Sequence, residues 1–157
     1  MEPKANQTAR GHEEPFATQF SVFLANRIGQ LRELLDLFTE ENISVLGLSV
    51  IDSTDWAVIR VVLSLPNKAR EVLRRSGLQF TESRVLLVEV PMQETLIDVC
   101  GLLMRAELSI HFAYSLAVHS HQNPVMVLHV DDYTLATHAL IRRGYVLLGD
   151  EDLADKL

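Results

Sequence analysis

"LLDLFTEENISVLGLSV", Leu34 to Val50, and "VCGLLMRAELSIHFAYS", Val99 to Ser115, fall on one another when the chain is shifted by 65 residues. Ile43-Ser44-Val45 then meets Leu108-Ser109-Ile110. With two residues inserted, "REVLRRSG" (Arg70 to Gly77) falls on "THALIRRG" (Thr137 to Gly144). Few identities survive, but the apolar positions agree throughout, and agreement at a fixed period marks an internal repeat. The chain reads as two copies of one unit, residues 18–84 and 85–157. Ahead of them, residues 1–17 form a polar arm, expected to be mobile because nothing apolar ties it down.

The unit itself can be spelled out. "FSVFLA" (Phe20 to Ala25) is β-branched and aromatic and stops at Asn26, so a strand is expected. Leu31, Leu34, Leu35, Leu37 and Phe38 follow at helical spacing, with Arg32, Glu33, Asp36 and Glu40 outside the stripe. "ISVLGLSVI" and "WAVIRVVL" are two more strands around the turn composition "DSTD". Ser64 and Pro66 open a second helix, Gly77 suits its left-handed cap, and a short strand near Leu78 to Glu82 closes the unit. The second copy repeats this order with "VLLVEV", a helix from Thr95 to Glu107, "SIHFAYSLAV", "PVMVLHV", a helix from Asp132 to Arg143, and "YVLLG". Asp131 and Asp132 are both suited to capping that last helix. The predicted fold is α+β: two ferredoxin-like βαββαβ units, with antiparallel sheets and helices on one face. Because "VLLVEV" aligns with a first strand, the link between units is read as two or three residues around Ser83 and Arg84.

Composition sets the class of partner. The 157 residues are 48% hydrophobic and 22% charged, with a net charge of −7. An acidic chain whose only basic clusters are "REVLRR" and "IRRG" is not built for nucleic acid or an anionic membrane. Its one cysteine, Cys100, rules out a disulfide framework and Cys-based metal motifs. No stretch approaches the roughly 20 apolar residues of a membrane span, and the first residues lack the apolar core of a signal peptide. A soluble cytoplasmic protein is expected.

The repeat unit resembles the ACT domain, and the tandem resembles small proteins made of two ACT units. The likeness covers Phe20 to Leu153. Its clearest motif is the loop after the first strand, commonly Asn-Arg-Pro-Gly or Asp-Lys-Pro-Gly before a small residue and Leu. Here it reads Asn26-Arg27-Ile28-Gly29-Gln30-Leu31, with Ile28 in place of proline. ACT domains sense small molecules, mostly amino acids, at the interface between neighbouring units. In the serine-sensing members a loop asparagine and a second one on the next strand hold the ligand. Those positions correspond to Asn26 and Ser44. The resemblance also pairs the loop of one unit with the second strand of its neighbour, which implicates His111, Phe112, Ala113 and Tyr114.

The chemistry of the loop agrees. A glycine lets a ligand approach the backbone, and the N–H groups of Gln30, Leu31 and Arg32 at a helix start favour a carboxylate. The loop has one glycine and neither Gly-x-Gly-x-x-Gly nor Gly-Lys-Ser/Thr, so a phosphate cradle is not indicated. The plainer alternative is that Gly29 serves only the turn. In the second copy Pro91-Met92-Gln93-Glu94-Thr95-Leu96 stands at this place. There Glu94 is expected to satisfy the helix N-terminus itself and to repel a ligand carboxylate.

Four of the six histidines fall on the second unit's hairpin: His111, His119, His121 and His129. His119-Ser120-His121 has a spacing that puts two rings on one strand face, the basis of an alternative metal-responsive reading. An exposed hairpin tip, with its turn at Asn123-Pro124, is the simpler one. No Ser-His-Asp or Cys-His signature is present, and Glu13, Glu14 and Asp150-Glu151-Asp152 read as solvated charge runs. Phe112, Tyr114 and Trp56 read as core or interface packing. The expected function is therefore a non-catalytic, cofactor-free regulatory protein that binds an amino acid. A regulatory subunit of an amino-acid biosynthetic enzyme that has lost its own ligand is the further alternative, and a partner enzyme of amino-acid metabolism is expected. Strands apolar on both faces also predict a homodimer that covers sheet surface.

Overall fold

The computed structural model of the chain describes residues 15–25 and 28–154. It divides into two compact units, Thr18–Ser83 and a second built of Arg84 onward together with the residues before Thr18. Each has the predicted element order.

In the N-terminal unit, β1 (Ala17–Ala25) leads to α1 (Gln30–Glu40), the hairpin β2 (Val45–Asp52) and β3 (Trp56–Leu63), and α2 (Pro66–Ser76). The next strand, β4 (Gln79–Glu89), closes it. The strand order is β2-β3-β1-β4. β1 and β3 are antiparallel, with Phe20 opposite Val61, Val22 opposite Ile59 and Leu24 opposite Ala57. Those six residues share one sheet face and pack with Leu34 and Phe38 of α1 and Ala69, Val72 and Leu73 of α2. Both helices thus lie on one face, as the alternation of side chains along a strand requires.

The C-terminal unit uses the last residues of β4, then α3 (Leu96–Arg105), β5 (Ile110–Ser120), β6 (Asn123–Val130), α4 (Tyr133–Arg142), β7 (Leu147–Leu148) and α5 (Asp150–Leu153). β6 lies between β4 and β5, and β7 pairs with the other edge of β4. Its core joins Leu86, Val88, Leu128 and Val130 to Val99, Leu103, Ala136 and Leu140. The α+β, ferredoxin-like architecture is as the sequence predicts.

Five details differ from expectation. β4 is a single strand of 11 residues through Ser83 and Arg84, so no separate link interrupts it. β1 starts at Ala17, and Phe16 meets the Tyr133 ring edge-on at 5.6 Å, so these two residues do not belong to an arm. The hairpin turn falls at His121-Gln122 (φ 49° and 67°), a two-residue connection of the type that matches strand twist, while Asn123 and Pro124 already belong to β6. Asp132 caps α4 through Leu135 N–H at 3.0 Å, whereas Asp131 accepts from Ser109 N–H at 3.1 Å. Asp152 is buried beside buried Leu153 and accepts from Gly149 N–H at 2.7 Å, while Glu151 stays exposed, so the run is solvated only in part. Glu13 and Glu14 lie outside the described residues.

Candidate functional site

β1 delivers the chain to the end of the sheet where Ala25 stands opposite Trp56. Asn26 and Arg27 lie outside the described residues. Ile28 is fully exposed, and Gly29 occupies the N-cap of α1 with φ 88° and ψ −12°. Glycine has no side chain to cap with, and no other described residue supplies one. Glu33 N–H reaches Gly29 O at 3.0 Å, which starts the helical ladder. The N–H groups of Gln30, Leu31 and Arg32 lie at the positive end of the helix dipole, and among the described residues no side chain caps them. A Cβ added at Gly29 meets nothing within 4 Å, so the space above the turn is open and the need for glycine is conformational.

Trp56, expected as packing, is 55% exposed at this same sheet end. Ser53 holds its carbonyl with both N–H and Oγ at 2.9 Å, which fixes the strand start from which the indole projects. A tryptophan just after a turn carries no helical or strand periodicity of its own. The register opposite Ala25 brings its backbone to this end of the sheet, with the indole on the face opposite Ala57 and the helices.

Ser44 is not at this place. It precedes β2, donates its N–H to Ser64 Oγ at 2.9 Å and accepts Ser64 N–H at 3.0 Å. Val45 pairs with Leu63, whereas Ala25 pairs with Trp56, so the length of β3 separates them. At about 3.3 Å per residue that is roughly 20 Å, and one unit cannot set both Ser44 and the Gly29 loop on one small ligand.

The second copy of the loop is closed differently from the sequence expectation. Thr95 is the N-cap of α3, and its N–H and Oγ both donate to Asp98 Oδ2 at 2.7 Å. Those two bonds, the hydroxyl first, hold the Asp98 carboxyl below its usual range. Glu94 leaves the helix end alone and accepts from Tyr145 Oη at 2.8 Å. Burial first, and then this acidic neighbour, push the Tyr145 hydroxyl up to about 12. Glu94 is not in the left-handed region. The two loops are thus different backbones as well as different side chains.

His111, Phe112, Ala113 and Tyr114 begin β5, with Phe112 opposite His129 and Tyr114 opposite Val127. Phe112 and His129 stack with ring centroids 4.7 Å apart, and His111 lies 5.4 Å from the same imidazole. Tyr133 Oη donates to Arg84 O and also contacts His129 Nδ1. His119 and His121 do not form the expected strand-face pair, because His121 has left the strand for the turn. Its Nδ1–H donates to buried Glu89 Oε1 at 2.8 Å, an oxygen that also accepts from Ser120 Oγ. Among the described residues, no three His, Cys, Asp or Glu side chains are grouped to hold a metal. A groove of about 450 Å³ between the C-terminal ends of α3 and α4 is lined by Leu102, Arg105, Ala106, Ala139, Arg142 and Arg143. None of the expected ligand contacts is among them. No helix of the described residues is long and apolar enough to cross a membrane.

Comparison with known proteins places the architecture. The family model of the ACT domain pair matches residues 16–157. The chain is similar to the solved structure of protein BT0572 from Bacteroides thetaiotaomicron, with 25% identity and a TM-score of 0.78, over 90% of this chain and 97% of that one. It is also similar to the ligand-free regulatory subunit of aspartate kinase from Thermus thermophilus, with 11% identity, a TM-score of 0.57 and coverage of 82% and 91%. The corresponding subunit from Thermus flavus gives 13%, 0.53, 81% and 91%. At such identities the two kinase subunits bear on the fold alone. No curated protein matches the chain.

Proposed function

The chain belongs to the family of ACT domain pairs, as the tandem repeat and the Asn26–Leu31 motif lead one to expect, and we propose that it is a non-catalytic regulatory module binding a small amino acid. One observation carries the proposal. α1 starts at a left-handed glycine with open space above it and with no side-chain cap among the described residues. In this reading the ligand carboxylate takes the N–H groups of Gln30, Leu31 and Arg32, and Asn26 and Arg27 complete the loop. His111 to Tyr114 are a second proposed contact element, to be tested separately. Ser44 contributes through its hydroxyl only if a ligand reaches the opposite end of the sheet. The regulated target is an enzyme of amino-acid metabolism in the cytoplasm.

Trp56 is the single tryptophan of the chain and starts β3 at the sheet end where the loop begins, so its fluorescence offers a label-free readout. Titration with each of the twenty amino acids should give a saturable change in its fluorescence for one or a few of them. The same ligands should raise the melting temperature by mass action. Gly29→Ala should weaken the response at least tenfold, while Gly29→Asn, which tolerates the left-handed backbone, should keep most of it. If an amino acid stabilises the protein while Trp56 and the Gly29 variants are indifferent to it, the site lies elsewhere. If none binds, the function is a different one.

A further inference from the structure

The internal repeat supplies a control for the groove between α3 and α4. Under the 65-residue shift, Leu102, Arg105 and Ala106 of its wall correspond to Leu37, Glu40 and Glu41. With the two inserted residues, Ala139, Arg142 and Arg143 correspond to Val72, Arg75 and Ser76. In the first unit charge closes this place. Glu41 Oε1 lies 3.7 Å from Arg75 Nη2 across the two helices, and Glu41 Oε2 lies 3.9 Å from Lys68 Nζ. In the second unit Ala106 stands where that carboxylate would be, Arg105 replaces the other glutamate, and Arg143 replaces the serine. Two carboxylates and one guanidinium give way to three guanidiniums. All three arginines are exposed, and among the described residues no hydrogen bond or ion pair holds their side chains. Asp98 feels the charges of Arg143 and Arg105 only after its two bonds from Thr95, which already occupy Oδ2. A chain of net charge −7 does not lack acids for such pairs, and it spends them on Arg70, Arg74 and Arg75 of α2.

We propose that this groove binds a small organic polyphosphate, with its phosphates on Arg105, Arg142 and Arg143 and its organic part over Leu102, Ala106 and Ala139. The charge and the size select the occupant. A guanidinium is a planar fork of donors that meets phosphate oxygens two at a time, and three such forks suit several negative charges set close together. A single carboxylate is too weak an anion here, because α4 ends at Arg142 and a helix C-terminus carries partial negative charge of its own. The groove measures about 450 Å³, within the roughly 300–1,000 Å³ of small-molecule sites. Leu102, Ala106 and Ala139 are half-buried and give it an apolar strip on which a ring can lie. Gly29 belongs to the other unit, so the inference does not rest on amino-acid binding and fails or stands separately from it.

Calorimetric titration of the full chain with ATP, without divalent metal and at about 0.15 M salt so that diffuse surface attraction is screened, should show one saturable equivalent per chain. Pyrophosphate should bind at least tenfold more weakly, since it leaves the apolar strip uncovered, and adenosine should give no measurable heat. Arg142→Gln and Arg143→Gln should each weaken ATP at least tenfold. Both are at exposed positions, which keeps the test free of folding loss. Ala106→Glu with Arg143→Ser installs the residues of the first unit and should abolish binding. Arg75→Gln, at the counterpart of Arg142, should leave it unchanged. Absence of saturable ATP binding, pyrophosphate or adenosine as tight as ATP, indifference to the α4 arginines, or an equal loss in Arg75→Gln would overturn the proposal.

Discussion

Asn42 and Glu107 stand 65 residues apart and hold the same left-handed backbone, with φ of 57° and 58°. Each follows the C-terminal end of the first helix of its unit. The next N–H then bonds back into the helix, Ile43 to Phe38 O at 2.9 Å and Leu108 to Leu103 O at 3.0 Å. These bonds satisfy carbonyls that a helix end leaves over. The paired apolar residues belong to the two cores.

Glutamate tolerates this conformation less well than asparagine, whose short polar side chain visits it readily. Glu107→Gly is expected to stabilise the protein by about 0.5–1 kcal/mol, and Asn42→Gly by less. Denaturant unfolding with unchanged m-values checks both, and a loss on Glu107→Gly would contradict the backbone assignment.

At Gly29 the same rule works in reverse. An added methyl meets no atom, so Gly29→Ala should cost about 1–2 kcal/mol through φ alone, and Gly29→Asn markedly less. Gly29→Glu does not reproduce the second loop, although the sequence alignment suggests it should, because position 94 has another backbone conformation. Thermal melts of the three variants separate these cases.

Glu94→Gly should not create a second amino-acid site. It removes the acceptor of the Tyr145 hydroxyl, at a cost of about 1–3 kcal/mol for a buried group left unmet, and it leaves the α3 terminus capped by Thr95 and Asp98. Glu94→Gln keeps an acceptor and should lose little. Calorimetric stoichiometry unchanged from wild type is the expected result, and a second equivalent of ligand per chain would refute it.

Tyr145 makes stability depend on alkaline pH. Its hydroxyl is held at about 12 in the fold against an ordinary value near 10, so the native state keeps a proton that the unfolded chain gives up. The contribution is complete below pH 10 and declines as pH rises through about 12. Tyr145→Phe should flatten that part of the stability profile, and an unchanged alkaline slope would count against the burial assigned to it.

Glu89 is a buried carboxylate that accepts from Ser120 and His121. Ser120→Ala should destabilise by about 1–3 kcal/mol because it strips a donor from a group that water cannot reach. His121→Gln, at an exposed ring, should cost less than Ser120→Ala. The reverse order in urea melts would show that the histidine, not the hydroxyl, satisfies the carboxylate.

The repeat, the element order and most helix limits were legible because they depend on local periodicity and on Pro66, Gly77 and Asp132, whose conformational preferences act within a few residues. Gly29 was legible as a special backbone position for the same reason. The left-handed state of Asn42 and Glu107 carried no such mark, since neither residue type demands it. The two residues of the turn, His121 and Gln122, were equally silent, and the proline beside them drew the predicted turn two residues too far along.

The amino-acid sequence alone determined that this protein is two ferredoxin-like units of the ACT type with a glycine opening the first helix, because hydrophobic spacing fixes which face of each element is buried. Only the tertiary structure decided which candidate residues stand at the same end of the sheet as that glycine. Strand register puts Trp56 at that end, on the face away from the helices, and carries Ser44 roughly 20 Å away. Glu94 and Tyr145, 51 positions apart and both outside the strands, meet only in the folded unit. Register is set by pairing across the sheet, and no short stretch of chain contains it.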